Sequence, residues 1–282
     1  MAKNYEELDL SDDFMFGKVM EDGELCREVL ECLLGQKVGQ LEPVQSQKEY
    51  QHTVEGKPIK LDIYTKDDRK VYDAEMQNLN NHPIAYHDLP RRSRFYQAAM
   101  DTDHLKKKQS YRSLPETDIL FICTFDPFGK GLPKYTFRNK CEELPELTLQ
   151  DHTAKYFFNC TSKEEETPEP LRALYHYIGT GEATDKLTVK LHKAVEAGRR
   201  NEKWRSEYMK ELLHDDDIRE EGREEGRKAG REEERANTER EKANAEREKA
   251  RADALEAKAA KADALEARVR ELEEMIKNGK NA

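Results

Sequence analysis

Two side chains in the segment KLDIYTKDDRKVYDAEMQ, residues 60–77, have the types and spacing to hold a metal ion, and a third stands beside them. Asp62 lies in a stretch where Ile59, Leu61 and Ile63 alternate with Lys60, Asp62 and Tyr64, the period-2 pattern of a strand. Asp67, Asp68 and Arg69 make a tight turn. A second strand then carries Val71, Asp73, Glu75 and Gln77 on one face and Tyr72, Ala74 and Met76 on the other. Facing side chains on paired strands stand about 5 Å apart. With the right register, Asp62 and Glu75 therefore present two carboxylates to one point, a donor set suited to Mg²⁺ or Mn²⁺. Such an ion polarises a phosphodiester and acidifies its bound water, which is hydrolytic chemistry. Gln77 projects from the same face, toward the water or the phosphate.

The flanking elements must position this hairpin. Residues 9–34 read as two helical pieces. Ser11 is the expected cap of the first, beside Asp12 and Asp13, and either acid could reach the site. Gly35 is the expected stop of the second. Residues 41–54 form a weak, polar strand candidate. Residues 83–109 read as a helix whose apolar positions are Phe95, Ala98, Ala99 and Leu105. DILFICTF at 118–125 is an unbroken apolar run, the mark of a central strand buried on both faces. YTFRN and KYFFN supply two more strands. The implied fold class is α/β or α+β, a mixed central sheet flanked by helices and followed by a long charged C-terminal helix. The expected divisions are a domain at 1–165, a helical segment at 166–214 and a charged, low-complexity helix at 215–282.

In that last region EEGREEGRKAGREEER gives way to two copies of ADALEA. Leu255, Ala262, Val269 and Ile276 recur every seven residues, with Leu265 and Leu272 between them and Lys258 as a polar interruption. This is the pattern of a short coiled coil, and through it of a homodimer.

Composition narrows the classes. The chain is 36% hydrophobic and 38% charged, with a net charge of −10. No run is long and apolar enough to span a membrane, and no apolar signal segment opens the chain, so a cytoplasmic protein is expected. Five cysteines without a C-x-x-C pair suggest neither disulfides nor a zinc site, only core packing. His82 and His87 are five apart, poor spacing for one helical face. Against the acidic total, Asp88–Arg112 holds seven cations and three acids, a local net of +4 with Tyr96 and Tyr111 interleaved. That patch could track phosphates.

LSDDFMFGKVM, KLDIYTKDDRKVYDAEMQ, LPRRSRFYQAAMDTDHLKKKQSY and DILFICTFDPF together resemble the bacterial recombination-promoting nuclease (transposase-like) family, over roughly residues 9–140. The resemblance implies a PD-(D/E)xK fold and a Mg²⁺-dependent DNA endonuclease. It makes Asp62 and Glu75 metal ligands, with Met76 completing the set, and puts Gln77 in the place of the usual lysine. Arg92 and Tyr96 match the family's R…Y pair. Arg91, Arg94 and Lys107 join them as expected DNA contacts. One departure from the family pattern is Lys107 or Lys108 where a glycine often stands. A lysine at position 77 would supply positive charge to the reacting phosphate, whereas an amide supplies neutral hydrogen bonds. Arg92 is the side chain expected to make up that charge. The alternative reading is a nuclease fold that no longer cuts and serves DNA binding or assembly.

Overall fold

In the computed structural model, which describes residues 3–50, 59–78 and 88–279, the expected hairpin forms. β2 (Ile59–Lys66) turns through Asp67–Arg69 into β3 (Lys70–Gln77), and the two pair antiparallel, Ile63 opposite Ala74 and Tyr64 opposite Asp73. Asp67 builds the turn. Its Oδ1 accepts from the backbone amides of Arg69 and Lys70, and its Oδ2 accepts from Gly39 N and the Tyr72 hydroxyl.

The sheet runs β1-β2-β3-β4-β6-β5. β1 (Gln45–Tyr50) is the polar edge strand, antiparallel to β2. β4 (Glu116–Cys123) pairs parallel with β3 along eight residues, from Lys70–Glu116 to Gln77–Cys123. β6 (Thr153–Asn159) pairs parallel with β4, and β5 (Lys134–Phe137) closes the far edge antiparallel to β6. The apolar run of β4 accordingly lies at the centre with every residue from Thr117 to Cys123 buried. Parallel strands need a crossover connection; a helix lies between β3 and β4, whereas β5 lies between β4 and β6.

α1 (Asp13–Met20) packs on β1, β2 and β3. At Gly17 a Cβ would meet the Gln47 side-chain amide at 3.5 Å and the Asp62 carbonyl oxygen at 3.8 Å, ordinary contact distances, so the helix packs closely on β2 without requiring a glycine there. Ser11 is not its cap. Asp12 holds the N-cap position and makes no capping bond there, while the buried Ser11 hydroxyl donates to Asp9. α2 (Gly23–Leu34) is capped by Asp22 and stops at Gly35, whose φ of +70° suits a residue without a Cβ.

α3 (Leu89–His104) is shorter than expected. Residues 83–87 lie outside the described part, with His82 and His87. At the other end Leu105 leaves helical geometry, so Lys106–Lys108 belong to a turn in which Lys108 has a φ of +75°. The buried face of α3 also differs from the expected one. Leu89, Ser93, Tyr96, Ala99 and Met100 are covered, whereas Phe95 and Ala98 are exposed. Two apolar stripes compete on this polar helix, and the one holding Tyr96 meets Phe121 of β4.

α4 (Glu169–Thr180) and α5 (Lys186–Arg199) pack on α2 and on each other. α5 begins with a capping box between Asp185 and Thr188. α6 (Glu202–Gly279) is one continuous helix, whose first turns belong to the unit ending at Glu211. Tyr208 there donates to the Lys3 carbonyl. A second unit starts at Leu212 and is helical through Gly279, with every described side chain from Asp216 to Met275 exposed. The cysteines are all free. Cys26 and Cys123 are buried, but Cys141 is half-buried and donates to Glu143 rather than packing in the core.

Candidate active site

The β2–β3 ladder has its last regular rung at Ile63–Ala74. Beyond it, Asp62 and Glu75 join the strands themselves. The Asp62 amide donates to Glu75 Oε1 at 2.9 Å, and the Met76 amide donates to Asp62 Oδ2 at 3.0 Å. The two carboxylates are thereby crossed over the end of the hairpin, each fixed by the backbone of the opposite strand. Met76 buries its side chain, so only its main-chain carbonyl, which accepts from the Gln77 amide nitrogen at 3.0 Å, can face a ligand.

α3 brings a cation to this point. Arg92 Nη1 donates to Gln77 Oε1 at 2.8 Å and Nη2 reaches Glu75 Oε2 at 3.3 Å. Nη2 also donates to the Tyr96 hydroxyl at 2.8 Å, one helical turn on. The guanidinium lies over the Tyr96 ring and near the Phe121 ring. Burial works against its charge, but Tyr96 and Glu75 outweigh burial and hold Arg92 protonated.

Asp73 is a further acid at the site, which the strand pattern placed on Glu75's face without a role. It is wholly buried, and its oxygens meet no donor among the described residues other than the neighbouring Glu75 carboxyl, with which it can share a proton. Burial, then the charge of Asp62, pushes its carboxyl well above the usual range. Glu75 is raised by burial and by Asp73, and Asp62 by burial, by Glu75 and by Asp13 of α1. The signal for Asp73 was its i, i−2 relation to Glu75; what the sequence did not show was that α3 would seal that face. Asp13 is the helix acid whose charge reaches the site, whereas Asp12 is buried against Lys3 Nζ at 2.8 Å.

A cluster of carboxyls that raise one another, beside an oxygen-only donor set, fits a hard divalent cation, whose charge would offset the repulsion. Asp62, Glu75 and the Met76 carbonyl would hold it. Among the described residues no group of three or more His, Cys, Asp or Glu side chains forms a ready-made metal cage, so backbone and water must complete the coordination.

The remaining cations expected to contact a substrate lie outward. Arg91 and Arg94 are exposed on α3, Arg91 against Asp88, and Lys107 is exposed in the turn after the helix. Arg112 follows in a short helical turn with Tyr111, which is 82% exposed.

No helix among the described residues is long and apolar enough to cross a membrane. No curated protein and no solved structure matches this chain. The model of the PD-(D/E)XK nuclease family transposase family matches residues 9–142, a span just under half of the chain that contains every residue of the site above, and this part of the chain is similar to that family.

Proposed function

We propose that the chain is a divalent-metal-dependent DNA endonuclease of the recombination-promoting type, hydrolysing phosphodiesters at Asp62, Glu75 and Gln77. The observation that carries this reading is the crossed pair of carboxylates with a buried guanidinium against one of them. Mg²⁺ or Mn²⁺, when bound, supplies Lewis acidity toward the phosphate and a more acidic water. Asp62, Glu75 and the Met76 carbonyl hold the ion. Gln77 orients Arg92 through its amide oxygen, and Arg92 faces the charge that grows on the phosphoryl oxygens. Tyr96 keeps the guanidinium from swinging out. Arg91, Arg94 and Lys107 take the flanking phosphates of a DNA substrate, and such a substrate implies a cytoplasmic enzyme. Self-association through the C-terminal helix belongs to the same reading, since one centre per chain cuts both strands when two chains act together.

Supercoiled-plasmid nicking by wild type and Asp62→Ala, in Mg²⁺, Mn²⁺, Ca²⁺ or EDTA, tests it. Nicking in Mg²⁺ or Mn²⁺ that EDTA and the substitution both abolish is the expected result. No cutting by wild type in any metal would instead favour a binding module. The bonds from Arg92 to Glu75 and Gln77 give that second reading its footing, because they satisfy the site internally.

A further inference from the structure

From Arg219 to Ala254 the second unit contains no Leu, Ile, Val, Met or Phe. Apolar residues then return together, and all but Met275, which flanks it, lie on one stripe. Leu255, Leu265, Val269 and Leu272 occupy seam positions of a heptad repeat, and each is between 45% and 71% exposed. A solvated helix has no use for this confinement, because exposed leucines on a polar helix gain nothing from aligning. The stripe is built to be covered.

The charges beside the stripe say by what. Lys261 and Arg268 precede the seam residues Ala262 and Val269, and Glu266 and Glu273 follow the seam residues Leu265 and Leu272. In a parallel, in-register pair of identical helices, each such preceding position faces the following position five residues on in the partner. Lys261 then meets Glu266 and Arg268 meets Glu273, twice over by symmetry. In an antiparallel pair the preceding positions face each other, as do the following ones. That arrangement sets cations against cations and glutamates against glutamates. Arg268 now lies against Glu271 of its own helix, an exposed pair that exchanges at little cost. The β-branched Val269 between Leu265 and Leu272 is also the seam pattern of two-stranded parallel coils.

We infer that residues 255–275 are the docking face for a second copy of this chain, paired parallel and in register. The inference rests on the self-association proposed above and not on the nuclease chemistry.

Cysteine cross-linking of the full-length chain tests it. Ala262→Cys and Val269→Cys are made separately and oxidised mildly beside wild type, whose five native cysteines set the background. Peptide mapping identifies the bond formed. Self-linkage at 262 in one variant and at 269 in the other is expected, because an antiparallel pair can bring at most one of these positions onto itself. K261E/R268E should lower the yield several-fold, and adding E266K/E273K should restore it. Linkage at only one position, or at neither in a chain that sediments as a dimer, overturns the parallel seam while leaving self-association standing. Sedimentation at 32.9 kDa with no linkage overturns both. Plasmid nicking by the same preparations reads the nuclease proposal separately.

Discussion

Arg92 and Gln77 share a 2.8 Å hydrogen bond in which the guanidinium donates to the amide oxygen, 15 residues apart in sequence and joined by the packing of α3 over β3. A lysine at 77 would place an ammonium where this acceptor stands and push Arg92 away. Glutamine at the motif's last position and arginine on the helix are one device, with the positive charge carried by the helix.

Arg92→Ala should therefore lower plasmid nicking by about 10²–10³-fold, the range for removing a charged or hydrogen-bonding group from a developing oxyanion. DNA affinity should fall much less. Gln77→Lys alone should also lose activity, and Gln77→Lys with Arg92→Gln should recover part of it. A cycle of the single and double variants should give a coupling of about 0.5–3 kcal/mol. Additive losses would show that the two residues act independently.

Asp73 predicts a gain of stability on substitution. Asp73→Asn removes one buried charge and gives Glu75 an amide donor, which should stabilise the metal-free protein at pH 7 by about 1–3 kcal/mol. A carboxyl held above its unfolded value of about 3.9 takes up protons on folding, so its cost to stability grows as pH rises from that value. Thermal melts in EDTA should separate variant and wild type more at pH 7 than at pH 5. A variant that melts lower at both would assign Asp73 a structural role instead.

Asp67 behaves in the opposite sense. Burial pushes its carboxyl up, but hydrogen bonds from Arg69, Lys70, Tyr72 and Gly39 outweigh burial and hold it below the usual range. Its contribution is fully present above about pH 3.9, the ordinary aspartate value, and is lost as pH falls through the lower folded value. Asp67→Asn should cost about 1.5–3 kcal/mol at pH 7, measured by urea unfolding, with the difference shrinking in acid.

Gly198 on α5 predicts a packing loss. A Cβ there would stand 2.6 Å from the Trp204 ring and 3.0 Å from the Met15 sulfur, and the Gly198 carbonyl accepts from the Tyr5 hydroxyl at 2.6 Å. Gly198→Ala should destabilise by about 1–3 kcal/mol through overpacking, read as a lower melting temperature. An unchanged melt would mean that Trp204 has room to turn.

The site was legible in sequence as far as strand periodicity reaches. Asp62, Glu75 and Gln77 stand on the hairpin that the alternation of Ile59, Leu61 and Ile63 announced, and Arg92 and Tyr96 lie one helical turn apart on α3. What the chain did not reveal is which side of α3 faces the sheet. Phe95 and Ala98 form as good an apolar stripe as Tyr96, Ala99 and Met100, and only the position of Phe121 on a strand 25 residues later decides between them. The end of α3 was overrun for a related reason, since Lys106–Lys108 have good helix propensity but the backbone has already turned extended at Leu105 before it reaches them. The burial of Asp73 is likewise a property of three elements meeting, and no local pattern announces it.

The crossing of Asp62 and Glu75 over the hairpin's end has a dynamic consequence. Elsewhere in the sheet the rungs are peptide groups, indifferent to ions and to ordinary changes of acidity. Here two rungs are carboxylates accepting from the Asp62 and Met76 amides, so the cohesion of this strand end varies with whatever else those carboxylates hold. Local opening of the hairpin's open end is thus tied to the occupancy and charge of the candidate site, and amide hydrogen exchange at Asp62 and Met76 registers that occupancy from the backbone.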